Sequence, residues 1–161
     1  MASTSVAGID VVAAPNTQEV IITRTFQASR ERVFKVYTDP ARIPKWWGPA
    51  RLTTVVETME VRPGGRWRHV QSEADGTEYA FHGVYHDVVA PERLVNTFEY
   101  EGAPGQVSLD CTTFAETGGT TTVSIHSVFP SVGARDAMLQ EGMTDGLAES
   151  MRRIDDLLAG S

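Results

Sequence analysis

Short runs of alternating apolar and polar residues fill most of the first 130 positions of the chain. Successive side chains of a β-strand point to opposite faces, so this period of two predicts strands with one buried face. Hairpin-length turn signals separate the runs, for example Asp-Gly at 75–76 and Gly-Gly at 118–119, and they predict an antiparallel sheet. Seven strands are predicted, over residues 19–28, 51–61, 66–71, 77–89, 92–100, 106–115 and 120–129.

Helical patterns interrupt and follow these strands. Ser29 is placed to cap a short helix over 30–38, and a second helical turn is predicted at 40–45. After Pro130 the apolar residues recur every three or four positions, which predicts one long amphipathic helix over about 131–158. Its roughly 26 residues would reach about 39 Å, enough to cross a seven-stranded sheet about 29 Å wide. The pattern therefore predicts an α+β fold whose curved antiparallel sheet wraps around a long C-terminal helix and leaves a pocket between them.

Length and composition bound the domain organisation. A chain of 161 residues with 41% hydrophobic content fits one globular domain, which we expect over 18–161. The first seventeen residues carry neither the positive segment nor the unbroken apolar segment of an export signal, so we expect a flexible N-terminal tail over 1–17. No stretch approaches the roughly 18 apolar residues of a membrane span. A soluble protein of the cytoplasm is therefore expected.

Charge and motifs exclude several classes of function. The net charge of -7 disfavours nucleic-acid binding, which needs a basic face. Cys111 is the only cysteine, so there is no internal disulfide, and its row with Val107 and Leu109 is typical of a small core residue. None of the four histidines belongs to an H-x-E or C-x-x-C pattern, and no phosphate loop, dinucleotide fingerprint or G-x-S-x-G appears. Neither a metal nor a cofactor is expected.

Three ordered stretches carry a resemblance to a known family: ITRTFQASRERVFKVYTDPARIPKWWGP, VRPGGRWRHVQSEADGTEYAFHGVYHDVVAPERLVNTFEY and GMTDGLAESMRRIDDLL. They are similar to the START-like, or SRPBCC, superfamily, most of all to the branch named for the activator of the 90-kDa heat-shock-protein ATPase. The likeness runs from about residue 19 to 158. It implies the helix-grip fold, in which a seven-stranded antiparallel sheet grips the C-terminal helix and two short helices follow the first strand. It also implies a deep apolar cavity between sheet and helix.

The turn PKWWGP, residues 44–49, carries two of the three tryptophans between two prolines. In the resembling fold this segment lies at one end of the cavity. One indole, of Trp46 or Trp47, is then expected to point inward and the other to lie along the rim. The alternative is that both simply seal the core, since tryptophan buries a large area and needs a partner for its N–H.

The strand after the glycine turn supplies a second candidate. Trp67 and His69 share one strand face, so if Trp67 faces the cavity, His69 faces it too. A histidine there would anchor a polar group of a ligand or move a proton near neutral pH. The alternative is a histidine satisfied by a neighbouring strand or by water.

Further candidates come from the next strands and the long helix. Asn96 interrupts an apolar row and should need a hydrogen-bond partner. Gly146 costs helix stability, which close approach of a strand, a bend of the helix or room for a ligand would explain; we expect that it borders the cavity, and the alternative is a surface glycine. The predicted ligand-binding set is Trp46, Trp47, Trp67, His69, Phe81, Tyr85, Asn96, Phe98, Met143, Gly146 and Leu147.

Three functions of different classes follow. The first is a binding module for a small hydrophobic, aromatic or lipid-like molecule in the cavity. The second is a cyclase-like or other proton-transfer enzyme with His69, Asn96 or Tyr100 as polar participants, which requires an acid and a base within hydrogen-bond reach. The third is a co-chaperone of the 90-kDa heat-shock protein, suggested by the family name alone. We expect a small apolar or aromatic partner, no nucleic acid, no membrane and no chaperone; the sequence leaves open a homodimer and whether any reaction is catalysed.

Overall fold

A computed structural model describes residues 2–6, 8–140 and 143–160, with side chains described for 8–140 and 146–160. The strands are β1 (Ala2–Val6), β2 (Ile9–Ala13), β3 (Glu19–Phe26), β4 (Thr53–Met59), β5 (Arg66–Ser72), β6 (Glu78–Val89), β7 (Arg93–Tyr100), β8 (Ser108–Thr117) and β9 (Thr120–Val128). The helices are α1 (Arg30–Thr38), α2 (Val132–Gln140) and α3 (Met143–Ala159), and Ile43–Lys45 form a 3-10 turn.

All the strands join one antiparallel sheet in the order β1-β2-β3-β9-β8-β7-β6-β5-β4. The seven predicted strands correspond to β3 through β9, with boundaries that differ by at most two residues. The α+β class and the antiparallel sheet are therefore confirmed. Local alternation and turn residues carry this information because hairpin pairing joins strands that are neighbours in sequence.

The predicted count of seven strands is wrong, because the described residues form nine. Both additional strands lie in 1–17, the segment expected to be a flexible tail. β2 alternates buried Ile9, Val11 and Ala13 with more exposed residues, and it pairs with β3 through Ile9 and Arg24. Five residues of alternation are a weak signal on their own, and the strand is stabilised by pairing with β3.

The helices after β3 follow the sequence closely. α1 spans the predicted residues 30–38, and the Ser29 side chain accepts a hydrogen bond from the Arg32 backbone N–H at 3.4 Å. The 3-10 turn at Ile43–Lys45 falls within the helical turn predicted at 40–45. The single long helix predicted over 131–158 is described as two helices, α2 and α3, and the two residues between them lie outside the described part of the chain.

The C-terminal helix packs on the inner face of the sheet. Met151, Ile154 and Leu158 of α3 are buried in a core shared with α1 and with β2, β3, β7, β8 and β9. Burying such apolar side chains contributes roughly 1.5–3 kcal/mol each. Nearer the N-terminal end of α3, around Gly146 and Leu147, the helix and the sheet instead enclose a cavity.

Candidate functional site

The cavity has a volume of about 420 Å³ and lies between the sheet, the turn after α1 and the C-terminal helices. Ten of the predicted residues line it: Trp46, Trp47, Trp67, His69, Phe81, Tyr85, Asn96, Phe98, Gly146 and Leu147. Met143 begins α3, but its side chain lies outside the described residues. The structure thus brings the predicted set together around one space, and binding of a ligand by these residues stays a prediction.

The two tryptophans of the turn play different parts. Trp46 is buried, its indole N–H donates to the Val36 carbonyl at 2.9 Å, and its ring packs on Tyr37 at 4.9 Å between centroids. Trp47 is half-buried and places its ring edge-on to Phe81 at 5.2 Å. Trp46 therefore helps to seal the core, whereas Trp47 offers more of its ring to the cavity.

The turn is held from two sides. Arg153 of α3 donates from Nη1 to the Gly48 carbonyl at 2.9 Å and from Nη2 to the Pro44 carbonyl at 3.3 Å. Buried Gln71 of β5 donates from Nε2 to the Trp47 carbonyl at 3.3 Å. Gly48 has φ +76°, and a Cβ there would lie 1.8 Å from that Gln71 nitrogen, so only glycine suits both the backbone and the contact. These bonds fix Trp47 at the cavity wall.

Aromatic rings continue from Trp47 across the sheet. Trp67 lies 6.3 Å from Trp47 and 5.9 Å from Phe98 between ring centroids, and Phe98 lies 5.6 Å from Phe81. These spacings are typical of favourable aromatic pairs. The Trp67 indole N–H reaches the Thr97 carbonyl at 3.2 Å across a bare Gly83, where a Cβ would lie 1.9 Å from that carbonyl oxygen. The glycine thereby lets the indole lie flat against the sheet.

His69 is buried among these rings, 4.9 Å from Trp47 and 4.7 Å from Trp67 between centroids. Within the described part of the chain its Nδ1 has no hydrogen-bond partner. Burial lowers the pKa of His69 to about 4, and the nearby Arg68 backbone opposes this only in part. The predicted proton transfer near neutral pH is therefore not supported, because His69 stays neutral there; the prediction that it anchors a polar ligand group remains.

Asn96 belongs to a polar row across the sheet. Strand pairing places it opposite Tyr85 on one side and Asp110 on the other, and Asp110 in turn lies opposite Ser127. The Asn96 amide Nδ2 donates to the Thr97 carbonyl at 3.1 Å. His69 lies on a different row: it is the cross-strand partner of Phe81, which lies four residues from Tyr85 along β6.

Asp110 is the functional candidate that sequence reasoning missed. It lines the cavity, where burial raises its pKa to about 6, while the hydroxyls of Ser127 and Ser108 lie near enough to favour the ionised form in part. The apolar side chains of Leu109 and Cys111 predict that their row faces inward, which would place Asp110 on the outer face. The structure reverses these faces, since Leu109 is 45% exposed.

Two tyrosines are further polar residues of the lining. Burial raises the pKa of Tyr85 to about 12 and raises that of Tyr37 further. The Tyr37 hydroxyl points to the Met151 sulfur at 3.9 Å. Both phenols are therefore neutral at physiological pH and act as hydrogen-bonding groups.

Gly146 faces open space at the cavity. Among the described residues, a Cβ built at Gly146 has no atom within 4 Å apart from those of its own helix turn. Because the same residue lines the cavity, a larger side chain would extend into that space or along its mouth. The position predicted from its helix spacing is consistent with this geometry.

Metal and membrane signals are both missing from the residues described. No group of three or more His, Cys, Asp or Glu side chains in that part of the chain is placed to hold a metal ion. No helix within the same residues is long and apolar enough to cross a bilayer.

Comparison with known proteins shows a family to which the chain is similar. The family described as activator of Hsp90 ATPase homolog 1-like protein matches residues 27–159. No match was found among curated proteins.

Solved structures similar to the chain come from several bacteria. The crystal structure of protein Ms6760 from Mycobacterium smegmatis is 27% identical, with a TM-score of 0.84 over 99% of both chains. A solution structure from Arthrobacter aurescens is 25% identical, with a TM-score of 0.84 over 94% of this chain and 91% of the other. A Rhodobacter sphaeroides protein at 24% identity has a TM-score of 0.88 over 95% and 99% of the two chains, which shows the shared fold.

Proposed function

Since this chain belongs to the activator of Hsp90 ATPase homolog 1-like family, and its sheet and C-terminal helices enclose an aromatic-lined cavity, we propose that it is a small-molecule binding protein. The ligand has an apolar or aromatic body that fills the cavity against the rings of Trp47, Trp67 and Phe98. A cavity of about 420 Å³ lies within the range of small-molecule sites.

One observation carries the proposal: the buried Nδ1 of His69 has no hydrogen-bond partner among the described residues, while its ring lines the cavity. An unpartnered buried polar atom costs about 1–3 kcal/mol, so it calls for a bound group that satisfies it. His69 is neutral, so it can donate or accept one hydrogen bond from a ligand without bringing a charge into the apolar space.

A ligand titration tests this function. Intrinsic tryptophan fluorescence and thermal unfolding are followed with a panel of chemically diverse aromatic and acyl compounds. We expect saturable changes for some of them, weaker binding in Trp47→Ala, and weaker binding in His69→Phe of those compounds that carry a hydrogen-bonding group. His86→Phe, on an exposed residue of β6, is the matched control. No saturable change with any compound in either measurement would contradict the proposal.

A proton-transfer enzyme in the same cavity is the second candidate, and Asp110 favours it. A carboxyl with a pKa of about 6 is suited to exchange protons near neutral pH. Asn96 and Tyr85 share its row, whereas His69 lies on a different row, two strands and four residues away. Tyr100, on the row of His69, packs on Phe81 at 5.1 Å.

Hydrogen exchange separates the enzyme from the binding protein. A ligand found in the panel is incubated with the protein in D₂O and examined by mass spectrometry. Deuterium uptake at carbon that depends on Asp110 and is lost in Asp110→Asn supports catalysis; uptake no faster than in buffer refutes it for that ligand. The co-chaperone function is suggested only by the name of the family.

A further inference from the structure

Asp110 is the only carboxyl, and no lysine or arginine is present, among the described residues that line the cavity. No ion pair to Asp110 forms within the described part of the chain. A carboxylate that loses water without gaining a cation is strongly destabilised. When a ligand displaces water from this cavity, the carboxyl must therefore either take up a proton or receive a positive charge from the ligand.

A second acceptor lies beside it. Asn96 is the cross-strand partner of Asp110, and its amide nitrogen already donates to the Thr97 carbonyl. That orientation leaves the Asn96 Oδ1 as an acceptor with no donor among the described residues. The wall at this row thus offers two neighbouring acceptors and calls for a group rich in N–H donors.

Aromatic surface adjoins the acceptors. Phe98 pairs with Ser108, two residues from Asp110 on the same face of β8, which places Phe98 and Asp110 about 7–8 Å apart across the sheet. Tyr85 lies on the other side of Asn96. A cation held by the carboxylate is then within reach of aromatic faces, which attract it further.

We propose that the ligand of this cavity is an arylalkyl amine in its cationic form, whose ammonium group binds Asp110 and Asn96 and whose aromatic body lies along Phe98, Trp67 and Trp47. This inference rests on the proposed function, since it names the chemical class of that ligand. The site discriminates among molecules of one shape by charge: it binds cations, tolerates neutral alcohols and rejects carboxylates.

The binding depends on pH through Asp110. The other titratable groups that face the cavity are His69 on β5, Tyr85 on β6 and Tyr37 on α1, and none of them changes charge between pH 5 and 8. The described lining residues from β3, β4, β7, β9, α2 and α3 are not titratable. Because burial raises the pKa of Asp110 to about 6, affinity for an amine falls as the pH drops below about 6.

Three probes of matched shape test the charge preference by isothermal titration calorimetry at pH 8. They are 2-(2-naphthyl)ethylamine, 2-(2-naphthyl)ethanol and 3-(2-naphthyl)propanoate. We expect the amine to bind at least about tenfold more tightly than the alcohol, as one charge-assisted hydrogen bond provides, and the carboxylate to bind most weakly. In Asp110→Asn the amine should lose its advantage, so that the two affinities agree within about threefold.

Matched variants make the outcome decisive. Asp156→Asn, the same change on an exposed residue of α3, should keep the amine preference. Asp110→Ser repeats the loss of charge with a smaller side chain, and thermal unfolding checks that each variant folds. Equal affinities for amine and alcohol in the wild type, or an amine preference that survives both Asp110 variants, would overturn the proposal. If the alcohol binds but the amine does not bind more tightly, the proposal of an amine ligand is refuted and the proposed binding function is still supported. If none of the three probes binds, the amine proposal is refuted as well. If no compound of the wider panel binds either, the binding function itself is refuted.

Discussion

Replacing Asp110 with asparagine should stabilise the ligand-free protein at pH 8 and change its stability by only about 0.5 kcal/mol at pH 4. Burial raises the pKa of this carboxyl from its ordinary value of 3.8 to about 6, so the folded state holds the proton more tightly than the unfolded state does. Well below pH 3.8 the carboxyl is protonated in both states and adds no penalty. Between about pH 4 and pH 6 the penalty grows, and above about pH 6 it is complete.

The magnitude follows from the size of that shift. Each pKa unit corresponds to about 1.36 kcal/mol, so a rise from 3.8 to about 6 lowers the free energy of unfolding by up to about 3 kcal/mol at pH 8. Asparagine keeps the shape and removes the charge, and the hydroxyls of Ser127 and Ser108 can reorient toward it. For a chain of this length the stabilisation corresponds to a rise in Tm of about 6–12 °C.

Urea unfolding of wild type and variant in parallel, at half-unit steps from pH 4 to pH 8, measures the difference. We expect the two curves of unfolding free energy to lie about 0.5 kcal/mol apart at pH 4 and to separate by about 1.4 kcal/mol per pH unit between about pH 4.5 and 5.5. Asp156→Asn should differ from wild type by less than about 0.5 kcal/mol throughout. A constant offset for Asp110→Asn at every pH, or no stabilisation at pH 8, would refute the reasoning that the carboxyl is desolvated in the cavity.

Other predictions address the turn, the histidine and the helix glycine. Arg153→Met removes two hydrogen bonds to carbonyls of the tryptophan turn, so it should lower the free energy of unfolding by about 1–3 kcal/mol and expose Trp47 to acrylamide quenching. Arg152→Met, on the exposed neighbour, should do neither. Unchanged quenching in Arg153→Met would show that the turn keeps its structure without these bonds. In an NMR titration the ring signals of His69 should not move between pH 8 and pH 5, since its pKa is lowered to about 4, and a midpoint near 6.5 would contradict its burial. Gly146→Ala should raise the free energy of unfolding by up to about 1 kcal/mol, because alanine favours the helix. Gly146→Leu should weaken ligand binding without unfolding the protein. Unchanged binding in the leucine variant would place this residue away from the ligand.

Local patterns in the sequence determined the elements of the fold. Alternation with a period of two located seven of the strands within two residues, and Ser29 marked the start of α1. Strand parity also placed Trp67 and His69 on one face, because neighbouring side chains of a strand always alternate. These features depend on residues only a few positions apart, so the sequence carries them directly.

Tertiary structure decided which face of β8 points inward. Val107 and Leu109 are apolar and were read as the buried row, yet they are 38% and 45% exposed, while Asp110 and Thr112 face the cavity. Alternation specifies that two faces differ, and the pairing with β7 and β9 specifies which one faces the helices. A polar row is tolerated inside because the cavity leaves it space that a packed core would not.

The chemistry of the site likewise depended on groups distant in sequence. His69 has an unremarkable sequence context, and its low pKa arises because Trp47, 22 positions earlier, and Trp67 exclude water from it. The β1–β2 hairpin forms for a similar reason, since β2 is stabilised by pairing with β3. The sequence by itself determined where strands and helices lie and which residues share a face; only the folded chain decided which face is buried, because desolvation and packing are properties of the assembled neighbours.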